Sequence, residues 1–197
     1  MTRHALSPGR TACRPRVVTA GLVLGVGVVC GSAGAWGQGA SGPAAPAPAG
    51  PAGCTSSESR QFDFWVGSWD VFAASDPDRK IADSMIEKLY LGCAIRENWR
   101  PGAAGGGSLS AWVPGDPGWR QTWVDSSGSW VEFRGGMRGE AMVLQGVWPQ
   151  PGQPRQIMRM TYTVRADGSV QQRGDTSDDE GRSWQPNFDF LYRRKGR

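Results

Sequence analysis

The chain has 197 residues, a formal charge of +4 and a single histidine, His4. Four arginines and that histidine lie in residues 1–35, and from residue 36 onward the charges balance at 18 of each sign. A neutral chain without a basic run lacks the electrostatic footprint of a nucleic-acid-binding protein, which excludes that class of partner. Without an imidazole after residue 35, a histidine base, a histidine zinc ligand and a proximal haem histidine are excluded as well.

Residues 1–35 have the layout of a secretory signal peptide. Four arginines without an acid precede the uncharged apolar run 17–30, and the Ala-Gly-Ala of residues 33–35 offers a small-residue cleavage site. We expect cleavage after residue 35 and export to the periplasm or the medium, which leaves no membrane span in the mature protein. An uncleaved anchor is the alternative, because residues 17–36 carry no charge and approach the length that spans a bilayer.

The next segment, residues 36–53, reads WGQGASGPAAPAPAGPAG. Its Pro, Ala and Gly residues offer few side chains to bury, so the composition predicts a disordered tether. The remaining residues, 54–197, have the size of one domain with a single core.

Two cysteines remain after the leader, Cys54 and Cys93. Two cysteines in an exported protein most often pair, so the sequence favours a disulfide between them. Such a bond would close a loop of roughly 40 residues and stabilise the fold by about 4 kcal/mol in the chain-entropy model. The alternatives are a buried free thiol at Cys93 and lipidation of Cys54, which Gly53 permits and Pro51 disfavours.

From residue 69 onward, short runs of alternating apolar and polar residues are separated by turn signals, which is typical of antiparallel strands. Ten candidate strands result: 69–74, 81–91, 93–99, 108–113, 119–125, 130–135, 141–148, 156–164, 170–177 and 184–194. The second run also has helical spacing, but its neighbours favour a strand. Because closure removes the exposed edges of a meander, the sequence predicts an all-β, antiparallel, up-and-down barrel of about 8–10 strands.

The stretch QFDFWVGSWDV begins the predicted domain. Gly67 and Trp69 resemble the Gly-x-Trp signature of lipocalin and fatty-acid-binding barrels, in which the Trp plugs the closed end and a basic residue of the last strand packs across its ring. Arg193 and Arg194 in the last candidate strand are available for that cation–π contact. The apolar lid of the closed end is expected to consist of the aromatic residues of this stretch: Phe62, Phe64, Trp65 and Trp69.

A wider resemblance is carried by QFDFWVGSWDV, LGCAIRENW, WRQTWVD and WQPNFDFLYRR. These stretches resemble a family of small exported bacterial proteins of unassigned function. The resemblance covers nearly all of residues 54–194, and QFDFWxGxWxV is its most specific piece. It implies a lipocalin-like (calycin) barrel and brings no assigned activity.

Residues 177–184, SDDEGRSW, match the Asp-box pattern S-x-D-x-G-x-[ST]-W. The motif closes a β-hairpin: the carboxylate binds turn amides, the glycine takes a positive φ and the tryptophan packs beneath. Asp-boxes repeat in sialidases, away from the chemistry, so one copy predicts a stiff hairpin rather than a glycosidase. The residues with this structural role are Ser177, Asp179, Gly181 and Trp184.

Two candidate strands carry tryptophan and polar side chains on the same face, because side chains alternate between the two faces of a strand. An apolar pocket with a few polar groups is typical of a small-molecule site. The predicted ligand-binding residues are therefore Glu97, Trp99, Gln121, Trp123 and Asp125. The alternative is that the tryptophans belong to the core and the acids reach solvent at the rim.

Catalysis in this domain would depend on carboxylates and tyrosines. Glu97, Asp125 and Glu132 are the acids to consider, since two facing carboxyls can act as general acid and base. Tyr90 and Tyr162 are the tyrosines to consider. No residue is assigned a catalytic role on this basis.

No cofactor or metal site is predicted, because the acidic run 175–180 lacks EF-hand spacing. The favoured function is an exported, non-catalytic barrel that binds a small apolar or aromatic molecule in its interior. Two alternatives stay open: a packed barrel that serves as a protein–protein interaction module of the cell envelope, and a histidine-free barrel enzyme that uses carboxylates. The sequence predicts neither the ligand, nor a protein partner, nor the oligomeric state.

Overall fold

The structure is a computed structural model that describes residues 52–148 and 155–196. The predicted leader (1–35) and nearly all of the predicted tether (36–53) lie outside the described residues. Ten strands are present: β1 (Gly67–Ala73), β2 (Asp76–Leu89), β3 (Ala94–Arg100), β4 (Gly106–Val113), β5 (Gly118–Asp125), β6 (Trp130–Arg138), β7 (Ala141–Trp148), β8 (Gln156–Val164), β9 (Val170–Ser177) and β10 (Gln185–Arg194). Three single-turn 3-10 helices accompany them: Glu58–Arg60, Asp63–Trp65 and Tyr90–Gly92.

The strands form one closed antiparallel barrel. Each strand pairs with its neighbours in sequence, and β1 also pairs with β10, which leaves no free sheet edge. The closing register sets Trp69 opposite Arg194 and Val71 opposite Tyr192. The predicted all-β, up-and-down barrel is thus confirmed, with ten strands.

The predicted boundary of the second strand was wrong. The sequence pattern starts this strand at residue 81, after a turn, whereas β2 begins at Asp76. The extension is polar, so a search for apolar alternation does not find it. Ion pairs hold it in place: Lys80 Nζ lies 2.8 Å from Asp70 Oδ1 on β1 and 2.8 Å from Asp83 Oδ1 further along β2. Two register shifts flank Phe72 on β1, so the hairpin contains a bulge that no alternation pattern predicts.

One end of the barrel is closed by the segment that precedes β1. Phe62, Trp65 and Trp69 have no solvent exposure, the Phe62 and Trp65 rings stack at 5.0 Å, and Trp69 Nε1 donates to the Trp65 carbonyl at 2.9 Å. The Arg194 guanidinium lies 4.4 Å from the centre of the Trp69 ring, which is the cation–π contact expected of the last strand. Gly67 makes room for it, because a Cβ there would come within 2.4 Å of an Arg194 nitrogen.

Arg193, the other candidate for that contact, lies elsewhere. Its guanidinium is 4.7 Å from the centre of the Phe72 ring and donates to the Pro77 carbonyl at 2.7 Å. Neighbouring residues of a strand point to opposite faces, so only one of the two arginines can cover Trp69.

Cys54 and Cys93 form the predicted disulfide, across a sequence separation of 39. The bond ties the segment before the barrel to the β2–β3 connection, where the Cys54 amide also donates to the Leu91 carbonyl at 3.2 Å. The prediction is confirmed, and neither a free Cys93 thiol nor a lipidated Cys54 is present in this structure.

The Asp-box forms the β9–β10 connection. Asp179 Oδ1 accepts from the Ser183 amide at 2.8 Å and from the Ser177 hydroxyl at 2.8 Å, and these bonds help to lower the pKa of Asp179 to about 2. Gly181 has φ +87°, and its carbonyl accepts from Trp184 Nε1 at 3.0 Å. The motif therefore closes the β9–β10 hairpin through the hydrogen bonds that its sequence predicts, and the stiffness of the hairpin stays a prediction.

Candidate functional site

The barrel contains a cavity of about 150 Å³. It is lined by eleven residues of the inward faces: Glu97, Trp99, Gln121, Trp123, Trp148, Met160, Tyr162, Gln172, Phe188, Phe190 and Tyr192. Tyr162 and Tyr192 contact the Trp65 ring of the closed end, at centroid distances of 4.9 Å and 6.0 Å, so they form the floor of the cavity. The cavity therefore lies between the Trp69 plug and the opposite end of the barrel.

The mouth of the cavity is aromatic. Its rings are the half-buried members of the lining: Trp99, Trp123, Trp148, Phe188 and Phe190. Trp99 stands 6.1 Å from Phe190 and 6.5 Å from Trp123, and Phe188 stacks on Phe190 at 4.6 Å. These rings are the most exposed part of the described cavity wall.

A glycine on the neighbouring strand sets the position of the Phe188 ring. A Cβ at Gly174 would lie 2.2 Å from a ring carbon of Phe188, so the ring occupies the space that any other residue would fill. The geometry of the mouth thus depends on a position that carries no side chain of its own.

Glu97 is the one charged residue among the described residues that line the cavity, and it is 4% exposed. Burial raises the pKa of Glu97 to about 7, because the interior disfavours the carboxylate, although hydrogen bonds from Ser84 and Tyr192 oppose the shift. Ser84 Oγ donates to Glu97 Oε1 at 3.0 Å. Both protonation states of the carboxyl are therefore accessible near neutral pH.

A chain of polar groups runs from Glu97 across the floor of the cavity. The Tyr192 hydroxyl lies 2.7 Å from Gln172 Oε1 and 3.3 Å from Glu97 Oε1. Gln172 Nε2 in turn donates to the Tyr162 hydroxyl at 3.1 Å, and that hydroxyl donates to Met160 Sδ at 3.3 Å.

The single proton of Tyr192 can serve only one of its two neighbours. The shorter distance favours Gln172 Oε1, which can only accept. The hydrogen bond from Tyr192 to Glu97 Oε1, at 3.3 Å, is the longer alternative for the same proton. Burial and the charge of Glu97 both raise the pKa of Tyr192, so the phenol keeps its proton throughout the physiological range.

Two lining residues carry buried polar atoms that have no hydrogen-bond partner within the described part of the chain. Gln121 is 1% exposed; its Nε2 donates to Ser110 Oγ at 3.0 Å, but its Oε1 accepts nothing. Trp99 Nε1, near the mouth, has no acceptor. Unpaired buried polar groups cost about 1–3 kcal/mol each, which a bound molecule with a donor and an acceptor would offset.

Four of the five predicted ligand-binding residues line this cavity: Glu97 and Trp99 from β3, and Gln121 and Trp123 from β5. Asp125, at the end of β5, does not. It accepts from Trp123 Nε1 at 3.0 Å and from the amides of Ser127 and Ser129, so it fixes the turn after β5 and orients the indole ring. The binding role of all five stays a prediction.

The acids considered for catalysis do not meet. Glu132 is exposed on the outer wall, where Thr122 Oγ1 and Trp130 Nε1 donate to its Oε1 at 2.9 Å each. Burial acts to raise the pKa of Asp125, but hydrogen bonds from Ser127, Trp123 and Ser129 together outweigh burial and lower it. Neither of these two acids therefore forms a facing pair with Glu97.

Comparison with known proteins gives no family name. No protein-family model matches the chain, and no curated protein matches it.

No group of three or more His, Cys, Asp or Glu residues suited to hold a metal ion occurs within the described ranges. Nor does the described part of the chain include a helix that is long and apolar enough to cross a membrane.

Proposed function

We propose that this protein is a non-catalytic barrel that holds a small apolar or aromatic molecule in its interior. The observation that carries the proposal is the ring-lined cavity above a polar floor, in which the buried Gln121 Oε1 has no partner among the described residues. Mostly apolar walls with a few convergent polar groups are typical of small-molecule sites. A cavity of about 150 Å³ holds one benzene-sized ring.

The setting of this function is part of the proposal. Residues 1–35 are proposed as a cleaved signal peptide and residues 36–53 as a flexible tether, which would place the barrel of residues 54–197 in the periplasm or the medium. The disulfide supports an oxidising compartment. Membership of the lipocalin-like family that the motifs resemble is also part of the proposal. The ten-stranded barrel and the Gly67–Trp69–Arg194 contact support it.

Tryptophan side-chain signals test the binding directly. In ¹H–¹⁵N spectra, titration with ethylbenzene should shift the indole N–H of Trp99, which lines the cavity, and leave that of Trp130, which is 64% exposed on the outer wall. The variants Trp99→Phe and Trp130→Phe assign the two signals. If no indole of the cavity responds at millimolar ethylbenzene, the proposed function is wrong.

A second candidate function is favoured by apolar side chains on the outer wall. Tyr90, Leu109, Val124 and Trp130 are exposed and line one shallow groove, and a contiguous apolar patch often marks a protein interface. A photoreactive amino acid in place of Trp130 tests this candidate. One defined cross-linked envelope protein, whose yield falls with Leu109→Ser, would support the interaction module, and the lack of any product would count against it.

A further inference from the structure

Among the described lining residues, the unpaired polar atom that is most deeply buried is an acceptor, Gln121 Oε1, whereas the unpaired donor, Trp99 Nε1, lies near the mouth. Gln121 Oε1 accepts nothing, and Glu97 becomes a pure acceptor when it ionises. No lysine or arginine lines the cavity in the described part of the chain, so nothing there neutralises a Glu97 carboxylate. The site therefore combines unfilled acceptor capacity with a single negative charge.

The walls suit a cation as well. Seven of the eleven lining residues are aromatic, five of them around the mouth. The face of a Trp, Tyr or Phe ring attracts an ammonium group, and the attraction grows when water is excluded. A cation with a ring-sized apolar body could thus meet aromatic faces and a carboxylate in one cavity.

We infer that the cavity selects a small primary ammonium compound with one aromatic ring, whose –NH₃⁺ group pairs with Glu97 and donates to Gln121 Oε1. The inference rests on the proposed function, since it names the class of ligand that the same cavity takes. The ring fills the apolar volume, and two of the three ammonium donors have acceptors in the wall. A neutral ring of the same shape leaves both acceptors unused.

Binding of such a cation depends on whether Glu97 carries its proton. The titratable groups that face Glu97 are the hydroxyls of Tyr192 on β10 and Tyr162 on β8, and both have raised pKa values and stay neutral. The other polar neighbours among the described residues, Ser84 on β2, Ser108 on β4 and Gln172 on β9, do not titrate. The ammonium compound binds the carboxylate form, so its affinity should rise about tenfold per pH unit below about pH 7 and then level off.

The test compares benzylamine with ethylbenzene, in which a methyl group replaces the ammonium group. Calorimetric titrations of each probe are run with the full mature chain at about pH 5.5 and at about pH 8. At the higher pH, benzylamine should bind at least about tenfold more tightly than ethylbenzene, because hydrogen bonds to a charged group contribute about 1.5–3 kcal/mol. At the lower pH most of that advantage should disappear.

Two matched variants separate a specific role of Glu97 from a general effect of charge. Glu97→Gln keeps the shape but removes the charge, so it should lower the ratio of benzylamine to ethylbenzene affinity at least about tenfold. Glu132→Gln removes a carboxylate from the outer wall and should leave that ratio unchanged. Binding of ethylbenzene to Glu97→Gln is the control which shows that this variant is folded.

The titrations distinguish failure of the amine selectivity from failure of the proposed function. If ethylbenzene binds but benzylamine binds no more tightly, or if Glu97→Gln leaves the affinity ratio unchanged, the amine selectivity is overturned and the binding barrel stands. If neither probe binds, the proposed function fails and the inference fails with it.

Discussion

Replacing the buried Glu97 by glutamine should make the protein more stable at alkaline pH. The carboxyl is 4% exposed, with no basic residue beside it in the described cavity wall, so ionisation in the folded state is unfavourable. Its pKa is about 7 in the fold, against an ordinary value of 4.5. Since each pH unit corresponds to about 1.4 kcal/mol, folding with this carboxyl costs about 3 kcal/mol at a pH above both values.

The sign follows from proton binding. Between about pH 4.5 and pH 7 the folded protein holds a proton that the unfolded chain has lost, so the free energy of unfolding declines as the pH rises through this window. Below this pH window, other acids make the free energy of unfolding decline as the pH falls. Hydrogen bonds from Lys195 and Lys80 lower the pKa of Asp83 to about 2, so the stability that Asp83 contributes is lost as the pH falls from 3.8 toward 2. Stability should therefore be highest near pH 4–5.

Urea unfolding followed by tryptophan fluorescence measures the effect. Wild-type protein should lose up to about 3 kcal/mol between about pH 5 and pH 8, whereas Glu97→Gln should lose little of this and unfold at higher urea at pH 8. Glu132→Gln, on the outer wall, should follow the wild type. If Glu97→Gln and wild type share one pH profile, Glu97 ionises without cost and the electrostatic account of the cavity is refuted.

Three further changes test the frame around the site. Trp69→Ala removes a side chain with no exposure and should cost about 3–5 kcal/mol, so an unchanged melting temperature would contradict its role as the plug. Replacing Cys54 and Cys93 together by serine should lower the free energy of unfolding by about 4 kcal/mol, and an effect under about 1 kcal/mol would show that the loop is ordered without the bond. Asp179→Ala should speed hydrogen exchange at the Ser183 amide, to which Asp179 binds, without altering exchange in β3; equal rates at Ser183 would mean that the hairpin does not depend on the Asp-box.

The fold was accessible from the sequence because its signals are local. Alternation and turn residues each act over a few positions, and Gly67-Ser68-Trp69 marks the first strand on its own. The start of β2 was missed because the side chains from Asp76 to Lys80 are held by ion pairs and a bulge rather than by burial.

The candidate site was accessible only in part. Period-two alternation grouped Glu97 with Trp99 and Gln121 with Trp123, and both pairs line one cavity. Residues from the far side of the barrel were not found, among them Gln172, Phe188 and Tyr192. Which strands face one another depends on strand number and stagger, and neither quantity is encoded in any single strand.

Asp125 shows a limit of the same reasoning. Alternation carries the inward face of β5 as far as this residue, but the strand ends there and the side chain turns to the amides of the next loop. A pattern of apolar and polar residues does not mark where a strand stops. The turn signal in residues 126–129 was the available warning, since Asp commonly binds backbone amides at the start of a turn.

Native mass spectrometry of the protein, purified from the cells that produce it, tests the central claim most directly. Spectra are recorded before and after denaturing extraction. The binding barrel predicts a discrete non-covalent mass that leaves on extraction and has the size of a one-ring compound. A ligand-free mass, together with no response of the cavity tryptophans to ethylbenzene or benzylamine, would contradict the claim and favour the interaction module.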